Sequence, residues 1–155
     1  MEGKILSRLF DLPYPIHTTD IILSAELEPE QREALDQFVK QGKLEVRTFS
    51  IEELIAIGEL VDQTRLEAGE MSVLFHAREI GGIMLSGDGA FRKYVRQQGL
   101  KVHGTLWILD ELVTHQILSP KEAHAALTLM LAQGSDRRLP KAECEKRLRE
   151  WGSSS

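Results

Sequence analysis

The sequence predicts an α/β fold: three layers, with a short parallel sheet of about four strands flanked by helices on both faces. Three observations predict it. The segments "PIHTT", "KLEVRTF", "IMLS" and "KVHG" read as strands, and each is separated from the next by helical sequence. Strands that alternate with helices are joined by crossovers, which make a sheet parallel and cover both of its faces. The chain has 155 residues, 42% hydrophobic and 28% charged, which is enough for one ordinary core and too little for two. No repeat, linker or low-complexity block interrupts it, so a single domain over residues 1–151 is expected, with "GSSS" at 152–155 as a frayed tail.

Taken in order, "GKILSRLFDL" places Ile5, Leu6, Leu9 and Phe10 on one helical face and stops before Pro13 and Pro15, which cannot continue a helix. "PIHTT" is the first strand. "TDIILSAEL" opens on the good cap types Thr18, Thr19 and Asp20 and continues as a helix so apolar that it should be largely buried. "PEQREALDQFVKQG" begins with Pro29 in a first-turn position and ends at Gly42. "KLEVRTF" alternates Leu44, Val46 and Thr48 against Glu45, Arg47 and Phe49 and is the second strand. "SIEELIAIGELVDQTR" is a helix with a capping box from Ser50 to Glu53. "GEMSVLFHAREIGG" is another, with Val73, Leu74, Ala77 and Ile80 expected to face inward. "IMLS" is a short buried strand, "AFRKYVRQQG" a helix and "KVHG" strand-like. "TLWILDELVTHQI", "SPKEAHAALTLMLAQG" and "PKAECEKRLREW" complete the chain as helices.

Composition excludes several functions. A net charge of -5 argues against wholesale wrapping of nucleic acid, although a local basic groove is compatible with it. The lone Cys144 forms neither an internal disulfide nor a thiolate cage, so a reducing, cytoplasmic environment is expected. No apolar run approaches the roughly 20 residues of a membrane span, and no signal-peptide core is present, so no membrane partner is expected. Neither G-x-G-x-x-G nor G-x-x-x-x-G-K occurs, and His17, His76, His103, His115 and His124 share no metal-ligand spacing. "GDG" is similar to a phosphatase-type acidic loop, but no earlier strand places the nucleophilic aspartate such a loop needs.

In a parallel sheet, ligands bind beyond the carboxyl ends of the strands, and acids collect there. Glu26 sits in the apolar "TDIILSAEL" helix, where a carboxylate without a partner is costly. Glu70 lies in the first turn of "GEMSVLF", and Asp88 follows directly on "IMLS". Each also has a plain explanation. Glu26 can turn to solvent, Glu70 can serve the helix dipole, and Asp88 can cap "AFRKY". Together they offer oxygen-only ligands, which suit Mg²⁺ or Mn²⁺ better than zinc. Beside Asp88, Arg92, Lys93, Arg96 and Lys101 are interleaved with Phe91 and Tyr94, with no acid between residues 89 and 101. That run reads either as a phosphate-backbone contact or as a solvated helix face with buried aromatics.

The order "TTDIILSAEL", "GEMSVLFHAREIGGIMLSGDGAFRKYVRQQGLKVHGTLWILDELVTHQILS" and "RLPKAECEKRL" resembles the PIN-domain family, above all its VapC-type toxin-related ribonucleases. The likeness runs from about residue 5 onward and is firmest over residues 69–119. It implies a metal-dependent ribonuclease in which Glu26, Glu70 and Asp88 occupy the catalytic, metal-ligating cluster, supported by the Ser86 hydroxyl, with Arg92, Lys93 and Arg96 on the RNA. It also implies one or two Mg²⁺ or Mn²⁺ ions that bind the scissile phosphate, activate a water and stabilise the leaving oxygen. The partners implied are single-stranded or structured RNA, an antitoxin protein and a second copy of the chain in a homodimer. The chain departs from the family pattern in one respect. The usual first strand ending in aspartate is missing, and neither Asp11 nor Asp20 follows a suitable apolar strand. One expectation is that coding DNA upstream of Met1 supplies that strand. The alternative function is a non-catalytic PIN-like protein that binds RNA or a protein partner.

Overall fold

The computed structural model describes residues 7–25, 27–132 and 139–153. The chain divides into two compact units, one formed by Tyr14–Met84 and the other by Met1–Pro13 with Leu85–Ser155.

The Tyr14–Met84 unit is built from β1 (Ile16–Thr19), α1 (Asp20–Ala25), α2 (Pro29–Lys40), β2 (Leu44–Arg47), α3 (Ile51–Thr64) and α4 (Ala68–Ile80). β1 and β2 pair in parallel, with Ile16 opposite Leu44 and Thr19 opposite Arg47. Parallel pairing requires a crossover, and α1 and α2 supply it. Leu44, Phe38, Ile57, Met71, Leu74 and Ala77 are buried. The capping box predicted for α3 is present: the Ser50 hydroxyl accepts from the Glu53 amide at 3.2 Å, and Glu53 Oε1 accepts from the Ser50 amide at 2.9 Å. The α3 helix ends on Arg65 and α4 on Gly81, both left-handed, at φ 62° and 65°. A side chain pays a steric cost in that region, so glycine suits the α4 terminus and Arg65 tolerates it.

Two expectations about burial fail in this unit, and a third at its edge, where Ile83 and Leu85 of the expected buried strand "IMLS" are 51% and 38% exposed and only Met84 is buried. The "TDIILSAEL" segment forms only the short α1, with no buried residue, and Ile21, Ile22 and Leu23 are half-buried. A continuous apolar run specifies no face, and a helix this short packs only one side, against α4 and β1. On α4, Ile80 is 52% exposed, whereas Met71, Ser72, Leu74 and Ala77 turn inward. The inward face of α4 is therefore spent before the helix reaches Ile80.

The second unit contains α5 (Gly89–Gln97), β4 (Val102–His103), α6 (Thr105–Thr114), α7 (Pro120–Ala132) and α8 (Lys141–Gly152). The strand β3 (Met84–Leu85) spans the sequence boundary between the units and pairs with β4. The four expected strands are thus present, paired as two small two-stranded sheets. Of the predicted N-terminal helix, residues 7–9 are helical, and residues 1–6 lie outside the described part. Leu106, Leu109 and Leu112 of α6, Leu127 of α7, and Cys144 and Trp151 of α8 form one buried cluster with Leu12. The Arg147 guanidinium grips Asp110 through two hydrogen bonds, 2.8 Å and 2.7 Å, and so fixes α8 on α6. Arg8 donates to the Ile117 carbonyl at 2.6 Å, which ties the N-terminal turn to the α6–α7 connection. No helix among the described residues is long and apolar enough to cross a membrane.

Candidate active site

In the Tyr14–Met84 unit, the end of β1 is fastened to the first turns of α4 by a chain of hydroxyls. Ser72 Oγ donates to the Gly69 carbonyl at 2.7 Å, which uses its one proton. Thr19 Oγ1 must therefore be the donor in its 2.7 Å bond to Ser72 Oγ, and it accepts from the Ile22 amide at 3.2 Å. Thr19 and Ser72 are both fully buried, so this order of bonds is enforced by desolvation. Glu70 lies between Gly69 and Ser72 on the same turns, half-buried, and its Oε1 accepts from the Glu67 amide at 3.3 Å. Glu70 thus closes a capping box with Glu67 at the start of α4, in the first turn where an acid also suits the helix dipole. Glu26 lies outside the described residues.

Asp20 follows Thr19, and its Oδ1 is buried with no hydrogen-bond partner among the described residues. A buried carboxylate oxygen without a donor is costly, so this position calls for a water or a cation.

The same unit holds a polar ladder that sequence spacing could not reveal. His17 Nε2 lies 3.0 Å from Glu45, His17 Nδ1 3.0 Å from His76 Nε2, and His76 Nδ1 3.2 Å from Glu79. Arg47 extends it by bonding both Glu79 and Glu53. His17 and His76 are 59 positions apart, so only the packing of α4 against β1 joins them.

In the second unit, the turn after β3 is organised around Asp88. Its Oδ1 accepts from the amides of Ala90 at 2.9 Å and Phe91 at 3.1 Å, and so caps α5. Both bonds go to one oxygen, which leaves Oδ2 unengaged among the described residues of an exposed side chain. The Ser86 hydroxyl accepts from the Asp88 amide at 3.1 Å, a bond that closes the turn at the strand end.

The basic run divides into two roles. Arg92 is half-buried and donates to the Ser86 carbonyl at 2.8 Å, so it supports the turn itself. A β-carbon at Gly104 would stand 3.0 Å from its Nη1, which explains a glycine there. Lys93, Arg96 and Lys101 are exposed, and none makes an ion pair with another described residue. Phe91 is buried and Tyr94 half-buried, so those aromatics belong to packing. Across the strand pair, the Ser86 amide donates to the His103 carbonyl at 3.0 Å. His103 in turn stacks flat on Trp107, with ring centroids 4.5 Å apart and planes 7° from parallel. Sequence reasoning missed this pair, although a spacing of four residues at a strand-to-helix junction is its signal.

Carboxylate oxygens such as those of Glu70 and of Asp88 are the ligands a hard divalent cation prefers. Among the described residues, no group of three or more His, Cys, Asp or Glu could hold a metal ion. Cys144 is buried and burial raises its thiol pKa, which disfavours the thiolate a nucleophile needs.

No curated protein and no solved structure matches the chain. The sequence model of a family described as PIN domain matches residues 6–153. PIN domains are in general nucleases that depend on divalent metal. With nearly the whole chain matched, and with short parallel strands between helices as that family requires, the protein belongs to the PIN-domain family.

Proposed function

We propose that this PIN domain is a ribonuclease that cuts single-stranded RNA in the presence of Mg²⁺ or Mn²⁺. The observation that carries the reading is the turn after β3. Asp88 keeps one carboxylate oxygen unengaged among the described residues, at the head of a helix whose Lys93 and Arg96 are exposed and unpaired among those residues. Exposed cations hold a phosphate backbone, and an uncommitted carboxylate oxygen beside them is available to the chemistry done on it. Glu26, Glu70 and Asp88 are the acids we assign to the catalytic and metal-ligating roles, with Ser86 in support. The described residues alone yield no catalytic step. The family match spans both compact units, and we infer that they make up one domain.

The test is cleavage of a labelled single-stranded RNA in Mn²⁺, with EDTA as control. Wild type should cut, EDTA should protect, and Glu70→Gln and Asp88→Asn should each abolish cutting. Asparagine is as good a helix cap as aspartate, so loss of activity in Asp88→Asn would not come from a melted α5. Cutting that persists in EDTA or in both variants removes the assignment.

A second reading has one observation in its favour: both Glu70 and Asp88 already serve as helix caps. A non-catalytic PIN-like protein would bind the same RNA without cutting it at any Mn²⁺ concentration. The toxin role, with an antitoxin protein and a homodimer, rests on the resemblance alone. If it holds, induced expression arrests growth and Asp88→Asn does not.

A further inference from the structure

We propose that the stacked His103–Trp107 pair, with Arg96 and Lys101 beside it, is a subsite for an unpaired nucleobase. This rests on the RNA reading and adds to it a residue-level account of how a single strand is seated.

The geometry is that of a platform. The two rings lie 7° from parallel at 4.5 Å, and both are half-buried. The Phe49–Phe75 pair of the other unit meets edge to face at 77°, an arrangement that offers no flat surface. Neither imidazole nitrogen of His103 has a hydrogen-bond partner among the described residues, so the ring edge is open as well. The desolvation of His103 lowers its pKa, and the nearby charges of Arg96 and Lys101 lower it further. A neutral imidazole offers one donor and one acceptor to a base edge. Arg96 near the end of α5 and Lys101 two residues before His103 are exposed cations without an ion pair among the described residues, and their charges act on the ring against that of Glu111. Aromatic rings beside unpaired cations are what a single strand requires, because every base has a π-face and every linkage a negative charge. The backbone of His103 is bonded to Ser86, two residues before Asp88, so a base on the platform lies one strand away from the acid assigned to catalysis.

The experiment measures binding in EDTA, which separates it from cleavage. Two labelled oligomers of equal length are compared by fluorescence anisotropy: a single-stranded RNA and its abasic ribose-phosphate counterpart. Wild type should prefer the RNA by about tenfold or more, the size that base stacking supplies. His103→Ala should reduce that preference to near unity with little change in abasic binding, and His103→Phe should restore it. Arg96→Gln and Lys101→Gln should weaken both oligomers alike and flatten the salt dependence. The proposal is overturned if wild type binds the two oligomers equally, or if His103→Ala keeps the preference. If neither oligomer binds wild type, the RNA reading falls and takes this subsite with it. The wild-type comparison stands by itself even if a variant fails to fold.

Discussion

At the scale of the residue, the informative acids are those whose oxygens are unevenly used. Asp88 satisfies two backbone donors with one oxygen, so its structural and chemical roles do not compete. This is why both readings of "GDGAF" were open in the sequence: a cap and a ligand need the same residue type at the same place. Asp20 is the opposite case, since its buried Oδ1 has no described partner. An unsatisfied buried oxygen costs about 1 to 3 kcal/mol, whereas a first-turn acid regains only about 0.3 to 1 kcal/mol from the helix dipole. The cost wins. In metal-free buffer, Asp20→Ala, which removes the oxygen, should therefore raise stability by about 1 kcal/mol in urea denaturation. Millimolar Mn²⁺ should raise the melting temperature of wild type more than that of the variant if a cation is what the oxygen receives. A variant less stable than wild type in EDTA would mean that a water already satisfies Asp20. No sequence pattern marks this residue, because its orphaned oxygen arises only where β1 ends against α4.

At the scale of the element, the local rules were legible where chemistry is local. The Ser50–Glu53 box, the Pro29 start of α2 and the glycine end of α4 all stand where residue type places them. What spacing could not show was the long-range use of the same side chains. Glu53 is at once the box residue of α3 and a partner of Arg47 on β2, and Arg47 also holds Glu79 on α4. The Arg47 guanidinium, and next the Ser50 amide, depress the Glu53 pKa from 4.5 to about 2. Arg47, followed by His76, lowers that of Glu79 in the same sense. A carboxylate with a depressed folded pKa contributes stability above its unfolded value and loses it as pH falls through the folded one. Between pH 4.5 and about 2 the unfolded chain takes up the Glu53 proton first, so stability should fall across that window. Glu53→Gln should flatten the fall, as read from urea midpoints at successive pH values, and an unchanged slope would detach Glu53 from the acid transition. Burial of α1 and Ile80 was misjudged for a related reason, since an apolar run reveals amount but not direction.

At the scale of the whole molecule, alternation of strands and helices was enough to give the class, but it could not say that the strands would pair two by two. Strands of two to four residues contribute few ladder bonds, so their partners are chosen by helix packing, which leaves no short-range trace in sequence. The consequence to test is cooperativity. Each compact unit has its own buried side chains, with Ile57 at 2% exposure in Tyr14–Met84 and Leu109 at 0% in the other. Both tryptophans of the chain, Trp107 and Trp151, belong to the second unit. Tryptophan emission therefore reports on that unit, while far-ultraviolet circular dichroism reports on the helices of both. Ile57→Ala removes buried methyl groups at a cost of about 2 to 5 kcal/mol, equivalent to a melting-temperature drop of roughly 5 to 15 °C for a chain of this size. If the units are one PIN domain, as we propose, the substitution should lower the emission and dichroism transitions together by that amount. Leu109→Ala should do the same from the other side. An Ile57→Ala protein whose tryptophan transition stays in place while part of the dichroism signal melts early would show two independently folding units, and the single-domain inference would have to be given up.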